Sequence, residues 1–290
     1  MTKTLSGTLA GLCAASLWGV MYVVSKVVME TVPPFVLVTS RLLLGAGTLA
    51  LFVIRRGRPV VPRSHILQIL MVGLIGYGIS LGFQFYGTML STASNGAMVT
   101  ATTPAFVLPI AALILGERIT LQRIIALTLS TVGVLVVVNP LRSSIEQGYM
   151  TGNLCLVTAA LTWALYSVIV RKMTANYDVL TFSMYAFLGG LPVSVSLGVW
   201  ELTQQPIGTL TWGILGGILF LGIICTALAM FLWNTAFKHL DAGIAGLTFF
   251  AQPLVGAALG ALLLHDKLSL SFIFGGVLIL GGILFSSHQN

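Results

Sequence analysis

The polar side chains of this sequence sit inside long apolar runs, and their spacing is where chemistry first becomes readable. Tyr77, Ser80, Gln84, Thr88 and Ser91 follow one another at intervals of three or four, which places them on one face of a helix. Thr226, Met230, Asn234 and Phe237 repeat that rhythm in a later run. Asn95, Val99, Thr102 and Thr103 form a third set, and Thr248 and Gln252 a fourth. A primary amide offers several donors and acceptors to a bound solute, which singles out Gln84, Asn234 and Gln252. Trp18, Tyr22, Trp163 and Tyr166 add aromatic faces on which an apolar or aromatic molecule can stack. Each hydroxyl has a plainer use, a bond to a neighbouring helix worth about 0.6 kcal/mol on average. The aromatics also have one, as packing or an interfacial belt. Trp18 and Trp163 lie about half-way along their runs, which weighs against a belt.

Bond-making chemistry finds little support. Gly78-Ile79-Ser80-Leu81-Gly82 fits the G-x-S-x-G pattern, but that elbow needs a strand-to-helix turn and a histidine base. Here it falls inside an apolar run, and His65, His239, His265 and His288 lie outside the runs or at their ends. The acids Glu30, Glu117, Glu146, Asp178, Glu201, Asp241 and Asp266 also avoid the middles of the runs, so neither a paired-aspartate protease nor a buried proton relay is expected. No phosphate-binding loop is present. Cys13, Cys155 and Cys225 lie in apolar surroundings without metal or disulfide spacing. No enzyme, cofactor or metal is therefore expected.

The elements that must carry these side chains follow from composition. Apolar residues make up 57% of the 290 and charged residues only 7%, with a mean hydropathy of +1.02. A soluble domain carries roughly 25% charged residues, so a lipid bilayer must be the solvent for most of this surface. Runs of about 20 apolar residues, enough to cross a bilayer, occur near 6–28, 34–54, 66–88, 94–115, 120–139, 152–172, 179–200, 210–235, 242–264 and 269–286. The first is too long for a signal peptide and reads as a retained helix. The expected fold is an all-α integral membrane protein of ten transmembrane helices.

Lys and Arg concentrate on cytoplasmic loops. With the N-terminus inside, ten of the 14 Lys and Arg fall there. Lys26, Arg41, Arg142 and Lys267 remain for the membrane or the other side. Both termini are thus expected in the cytoplasm. The basic residues do not cluster with aromatics, so no nucleic-acid partner is expected. Lys26 has Glu30 one turn on, which suggests a helical ion pair or snorkelling. Arg41 has Glu30, helix-end carbonyls or an anionic group of a bound solute as prospective partners, a structural role being preferred.

The two halves resemble each other. An offset of 145 brings Gly7 onto Gly152, Trp18 onto Trp163 and Lys26 onto Arg171; an offset of 149 brings Pro104 onto Pro253, Glu117 onto Asp266 and Gly133 onto Gly282. Five spans per half force the second half to enter from the opposite face, an arrangement typical of transporters that alternate access around a midplane site. Residues 1–140 and 151–290 are the expected repeats. Pro104 and Pro253 would bend their helices and could act as hinges.

These motifs resemble a known family. Leu17-Trp18-Gly19, Tyr22, Lys26, Pro33-Pro34 and Arg41 match one part of its pattern, and Thr103-Pro104 with Leu115-Gly116-Glu117-Arg118-Ile119-Thr120 the other. The sequence is similar to the EamA-like members of the drug/metabolite transporter superfamily. The resemblance implies ten helices in two inverted five-helix repeats and export or exchange of metabolites or amino acids. It leaves the cargo open. The alternatives are a non-transporting receptor or scaffold and a multidrug/proton antiporter. The small multidrug-resistance relatives use a buried Glu in their first helix, and this sequence has no counterpart. Facilitated diffusion or exchange is expected instead, by a monomer or weak homo-oligomer in the bacterial inner membrane. The residues expected to touch cargo are Trp18, Tyr22, Tyr77, Ser80, Gln84, Asn95, Thr103, Trp163, Tyr166, Asn234 and Gln252.

Overall fold

The computed structural model describes residues 3–57, 61–91, 93–138, 150–264 and 270–287. Secondary structure among them is helical. Seven stretches are long and apolar enough to cross a membrane: Lys3–Met29, Pro34–Arg55, Arg63–Met89, Gly96–Leu115, Met150–Thr174, Val179–Gln204 and Trp212–His239. Three shorter apolar helices cover Leu121–Val136, Ala242–Gly256 and Ile273–Phe285.

The breaks follow from local chemistry. Pro33 caps α2 (Pro34–Arg55) and Pro34 occupies its first turn, where a missing N–H costs nothing. The remaining N–H groups there are met by another helix: Glu201 accepts from Phe35 N at 2.7 Å and Val36 N at 3.2 Å. Asp178 caps α9 (Val179–Gln204), accepting from Thr181 N, and Thr211 caps α10 (Trp212–Leu219). Gly116, at φ +68°, ends α6 (Thr103–Leu115) in the left-handed conformation that glycine adopts without strain.

Two stretches depart from the α-helix. Residues Leu74–Ser80 form a π-helical segment between α3 (Arg63–Gly73) and α4 (Leu81–Met89). Phe220–Leu228 form another between α10 and α11 (Ala229–His239). Each widens the turn and shifts the side chains that follow. In the second, Thr226 Oγ1 takes the carbonyl five residues back, Leu221 O, at 2.8 Å. α5 (Ala93–Thr100) and α6 are separated by a turn at Ala101 and Thr102. α12 (Ala242–Leu247) and α13 (Ala251–Leu264) are separated by a 3₁₀ turn, Thr248–Phe250.

α1 (Lys3–Met29) packs on α11 and α13, whereas α8 (Met150–Thr174) packs on α4 and α6. α2 lies along α9, and α7 (Leu121–Val138) along α14 (Leu270–Ser287). Glycines permit the closest approaches. A Cβ on Gly73 would fall 1.9 Å from Ala186 O, and one on Gly189 would fall 2.0 Å from Leu70 O, so backbone touches backbone where α3 crosses α9. The surface is apolar: Leu113 is 86% and Trp212 89% exposed, an arrangement that lipid accommodates and water does not.

Candidate functional site

A pocket lies within the bundle, with about 350 Å³ of space between atoms, part of it open to the outside. α1 contributes Trp18 and Met21, and α8 contributes Ala159, Ala160 and Trp163. Ser80, Leu81 and Gln84 come from the end of the first π segment and from α4, Met230 from α11. The two broken helices supply Thr100, Thr103, Phe249 and Gln252. Its depth can be read along α1. A Cβ on Gly7 would touch Leu240, so the start of α1 meets the end of α11. Trp18 is eleven residues further, roughly 16 Å at 1.5 Å per residue, and Lys26 about 12 Å beyond it. The cavity is thus near the middle of the bundle.

One wall is polar. Gln84 Nε2 donates to the Tyr22 hydroxyl at 2.7 Å, which lies 2.7 Å from Thr100 Oγ1. Thr100 in turn donates to Gly96 O at 2.8 Å. Gln252 Nε2 reaches Thr100 Oγ1 at 3.3 Å. Thr103 donates to Thr100 O at 2.7 Å, taking the carbonyl that Pro104, lacking an N–H, leaves free. Ser80 donates to Ala159 O at 2.8 Å.

The other wall is aromatic. Trp18 stands edge-on to Trp163 with centroids 5.6 Å apart, and Trp233 and Phe249 pack behind Trp18 at 5.2 and 5.8 Å. The two indoles differ. Trp18 Nε1 donates to Cys225 O at 3.0 Å. Trp163 Nε1 is buried with no partner among the described residues.

Six of the expected residues meet at this cavity: Trp18, Ser80, Gln84, Thr103, Trp163 and Gln252. Tyr22 stands just outside it, on a neighbouring gap too narrow to admit water. Tyr77, Tyr166 and Asn234 do not line it. The Tyr77 and Tyr166 hydroxyls bond each other, Tyr166 donates to Asn234 Oδ1 at 3.1 Å, and Asn234 Nδ2 donates to Ser183 Oγ at 2.8 Å. Tyr166 stacks on Trp163 at 4.9 Å, so this chain backs the cavity wall. The side chain of Asn95 lies outside the described residues. Pro104 and Pro253 sit just after the breaks of their helices rather than within an unbroken α-helix. Thr100 and Phe249 have no place among the expected contacts. Val99 and Thr102 belong to the third spaced set and do not line the cavity, and Thr102 is exposed, because the turn at Ala101 and Thr102 resets the helical phase.

The two expected charge contacts differ from the sequence reading. Lys26 does not pair with Glu30. Its Nζ donates to the carbonyls of Thr88, Met89 and Ser91 at 3.2, 3.2 and 2.8 Å, closing the end of α4. Arg41, fully buried, reaches neither Glu30 nor a helix-end carbonyl. Its Nε donates to Thr226 Oγ1 at 3.0 Å and its plane lies over Phe85 at 4.7 Å.

At the opposite end from Lys26, four charged side chains interlock. Glu117 binds Arg123 and Arg171, each at 3.1 Å, and Asp241 binds the same two arginines at 2.6 Å. Glu117 also accepts from Ala242 N at 2.8 Å and Gly243 N at 3.3 Å, at the start of α12. Arg171 further donates to the carbonyls of Phe237 and Leu240.

A model of the EamA-like transporter family matches residues 5–139 and again 150–288. The chain is 24% identical over 291 residues to YoaV of Bacillus subtilis (strain 168), an uncharacterized transporter, covering 99% of this chain and 97% of that protein. It is 25% identical over 280 residues to a probable amino-acid metabolite efflux pump of Salmonella typhimurium, covering 92% and 89%. A crystal structure superimposes with a TM-score of 0.78 at 20% identity, covering 97% of this chain and 96% of the other. That likeness is one of fold. With these matches across its length and its membrane-spanning helices, the chain is an integral membrane transporter and belongs to the EamA-like transporter family.

Proposed function

We propose that the protein is a secondary transporter of small polar metabolites, amino acids or similar molecules, which it carries through the 350 Å³ cavity by alternating access or facilitated exchange. The observation that carries this is the cavity's composition: a mid-bundle pocket lined by amides, hydroxyls and indoles, with a Trp163 N–H that has no partner among the described residues. Trp18, Ser80, Gln84, Thr103, Trp163 and Gln252 are the proposed cargo contacts. Tyr22 orients Gln84, and Tyr77, Tyr166 and Asn234 hold Trp163 in place. The Salmonella relative's name points toward amino-acid metabolites. No catalytic residue or cofactor is assigned.

The architecture proposed is ten helices in two inverted repeats, 1–140 and 151–290, with both termini in the cytoplasm of a bacterial inner membrane. Several observations support it. The family model matches twice. The π segments begin at Leu74 and Phe220, and the breaks before Pro104 and Pro253 correspond. The contacts exchange as the repeats do: α1 against α11 and α13, α8 against α4 and α6. Lys26 binds the carbonyls of Thr88 and Ser91, and Arg171 those of Phe237 and Leu240. The Glu117 cluster is then the cytoplasmic closure, and the breaks before Pro104 and Pro253 are the hinges.

Vesicles containing only this protein, preloaded with single amino acids, test the proposal. Accelerated exchange of at least one radiolabelled amino acid is expected, persisting when the proton gradient is collapsed. Pro104→Ala and Pro253→Ala should slow it. Absence of flux for any solute would favour the receptor reading, and strict dependence on the proton gradient the antiporter. Trp163→Phe keeps an aromatic face, smaller than the indole, and removes the free N–H; its affinity for an exchanged amino acid should fall at least about three- to tenfold, one net hydrogen bond. Unchanged affinity would take Trp163 out of the contact set.

A further inference from the structure

Arg41 is a buried charge without a counter-charge. It is 0% exposed, and the ion pairs among the described residues all belong to the Glu117 and Asp241 cluster. Burying a guanidinium is costly unless its donors meet good acceptors. Among the described residues, Nε meets the Thr226 hydroxyl, Nη2 meets only the Met21 thioether at 3.3 Å, and Nη1 has no partner. A thioether is a weak acceptor. The guanidinium fork is shaped for a carboxylate, which it binds through two parallel N–H bonds.

A second orphan stands nearby. Ser25 Oγ, 2% exposed and also without a partner among the described residues, faces a narrow gap, closed to water as it stands, that Met21, Gln84 and Phe85 help to line. Met21 lines this gap and the 350 Å³ cavity alike, and its sulfur rests on Arg41. It is therefore a cover between the chamber and the guanidinium. An unbranched thioether reorients cheaply. Nor does the repeated fold itself demand this charge. The offset of 145 that relates Gly45 to Gly190 puts Ala186 at the matching position, buried and neutral.

We infer that Arg41 and Ser25 form an anion subsite that takes the carboxylate of the cargo once Met21 swings aside, while the apolar part of the cargo stays against Trp18 and Trp163. The transported class is then a small carboxylate-bearing molecule. This rests on the 350 Å³ cavity being the cargo chamber.

The test uses vesicles containing the full chain and three acid–amide pairs of increasing apolar size: alanine and alaninamide, leucine and leucinamide, phenylalanine and phenylalaninamide. For at least one pair the acid should exchange tenfold or more faster than its amide. Arg41→Gln should bring the ratio of that acid's exchange to its amide's down to about one, and Arg41→Lys should recover part of the difference. In detergent, the acid should raise the thermal midpoint of the native protein and not of Arg41→Gln. The ligand-free midpoint of the variant reports its folding. Because the acid–amide comparison is made on the native protein, it decides the matter even if Arg41→Gln does not fold. Equal exchange of acids and amides, or an acid preference that survives in Arg41→Gln, overturns the subsite and leaves the transport reading standing. A panel in which nothing exchanges overturns the transport reading and the subsite with it.

Discussion

Gly189→Ala should yield little folded protein. A single methyl would lie 2.0 Å from Leu70 O, an atom of the facing backbone that cannot rotate out of the way. Gly73→Ala makes the reciprocal collision with Ala186 O at 1.9 Å. Relief requires α3 and α9 to separate by more than about 1 Å, and a packed interior does not stretch without losing contacts on both sides. A loss of about 3 kcal/mol or more is expected for either variant, at the large end of overpacking effects. Gly47→Ala and Gly216→Ala are the controls. Each glycine is inside a helix, and a Cβ there meets nothing within 4 Å. Both should be neutral or more stable by up to about 1 kcal/mol, since alanine favours helix over glycine. Size-exclusion profiles and thermal midpoints in detergent compare the four variants. A monodisperse Gly189→Ala with a native midpoint would mean that the two helices are not in backbone contact.

Glu117→Ala should lower the thermal midpoint by several degrees. Glu117 joins four groups, two guanidinium groups and two N–H groups at the start of α12, and its side chain is only 10% exposed. Removing one member of a buried charge network costs about 3–5 kcal/mol. Asp241 still holds both arginines and is one-third exposed, so about 2–3 kcal/mol is the expected loss. At roughly 2–4 °C per kcal/mol for a chain of this size, the midpoint falls by about 5–10 °C. Glu117→Gln keeps an oxygen for the two N–H groups and should lose less. The double variant with Arg123→Gln should lose less than the sum of the two singles, because the residues share one network. A shift under about 1 °C for Glu117→Ala would show that the cluster contributes nothing to the closed form.

Much of the cavity was legible because α-helical spacing is a physical regularity. Ser80 and Gln84 are four apart, and both reach it. Where the spacing failed, the helix itself had changed. Tyr77 lies in the π segment, whose wider turn rotates it toward Tyr166 and away from the Ser80 face. Thr100 lies off the sequence rhythm and Thr102 on it, because the turn at Ala101 and Thr102 interrupts the helix that the rhythm presumes. Pro104 gave the cue, since the residues just before a proline tend to leave the helix. Lys26 shows a different limit. Glu30 was the nearest acid in sequence, but the carbonyls it binds are more than sixty residues away. No local pattern reports a contact between distant helices. Met21, Ala159 and Ala160 shape the chamber without carrying any polar signal. The seven longest helices stood out by hydropathy, whereas α12 and α13, broken by a 3₁₀ turn, read in sequence as one uninterrupted run.

The lining of the pocket has a consequence for orientation. At the offsets that relate the two halves, Trp18 corresponds to Trp163 and Thr103 to Gln252, whereas Gln84 corresponds to Met230 and Thr100 to Phe249, and all eight line the pocket. Corresponding positions thus agree in chemistry at two pairs and differ at two. Under the proposed function, a molecule with one polar and one apolar end would meet a different set of partners in each of its two directions, so the two directions would not be equal in energy.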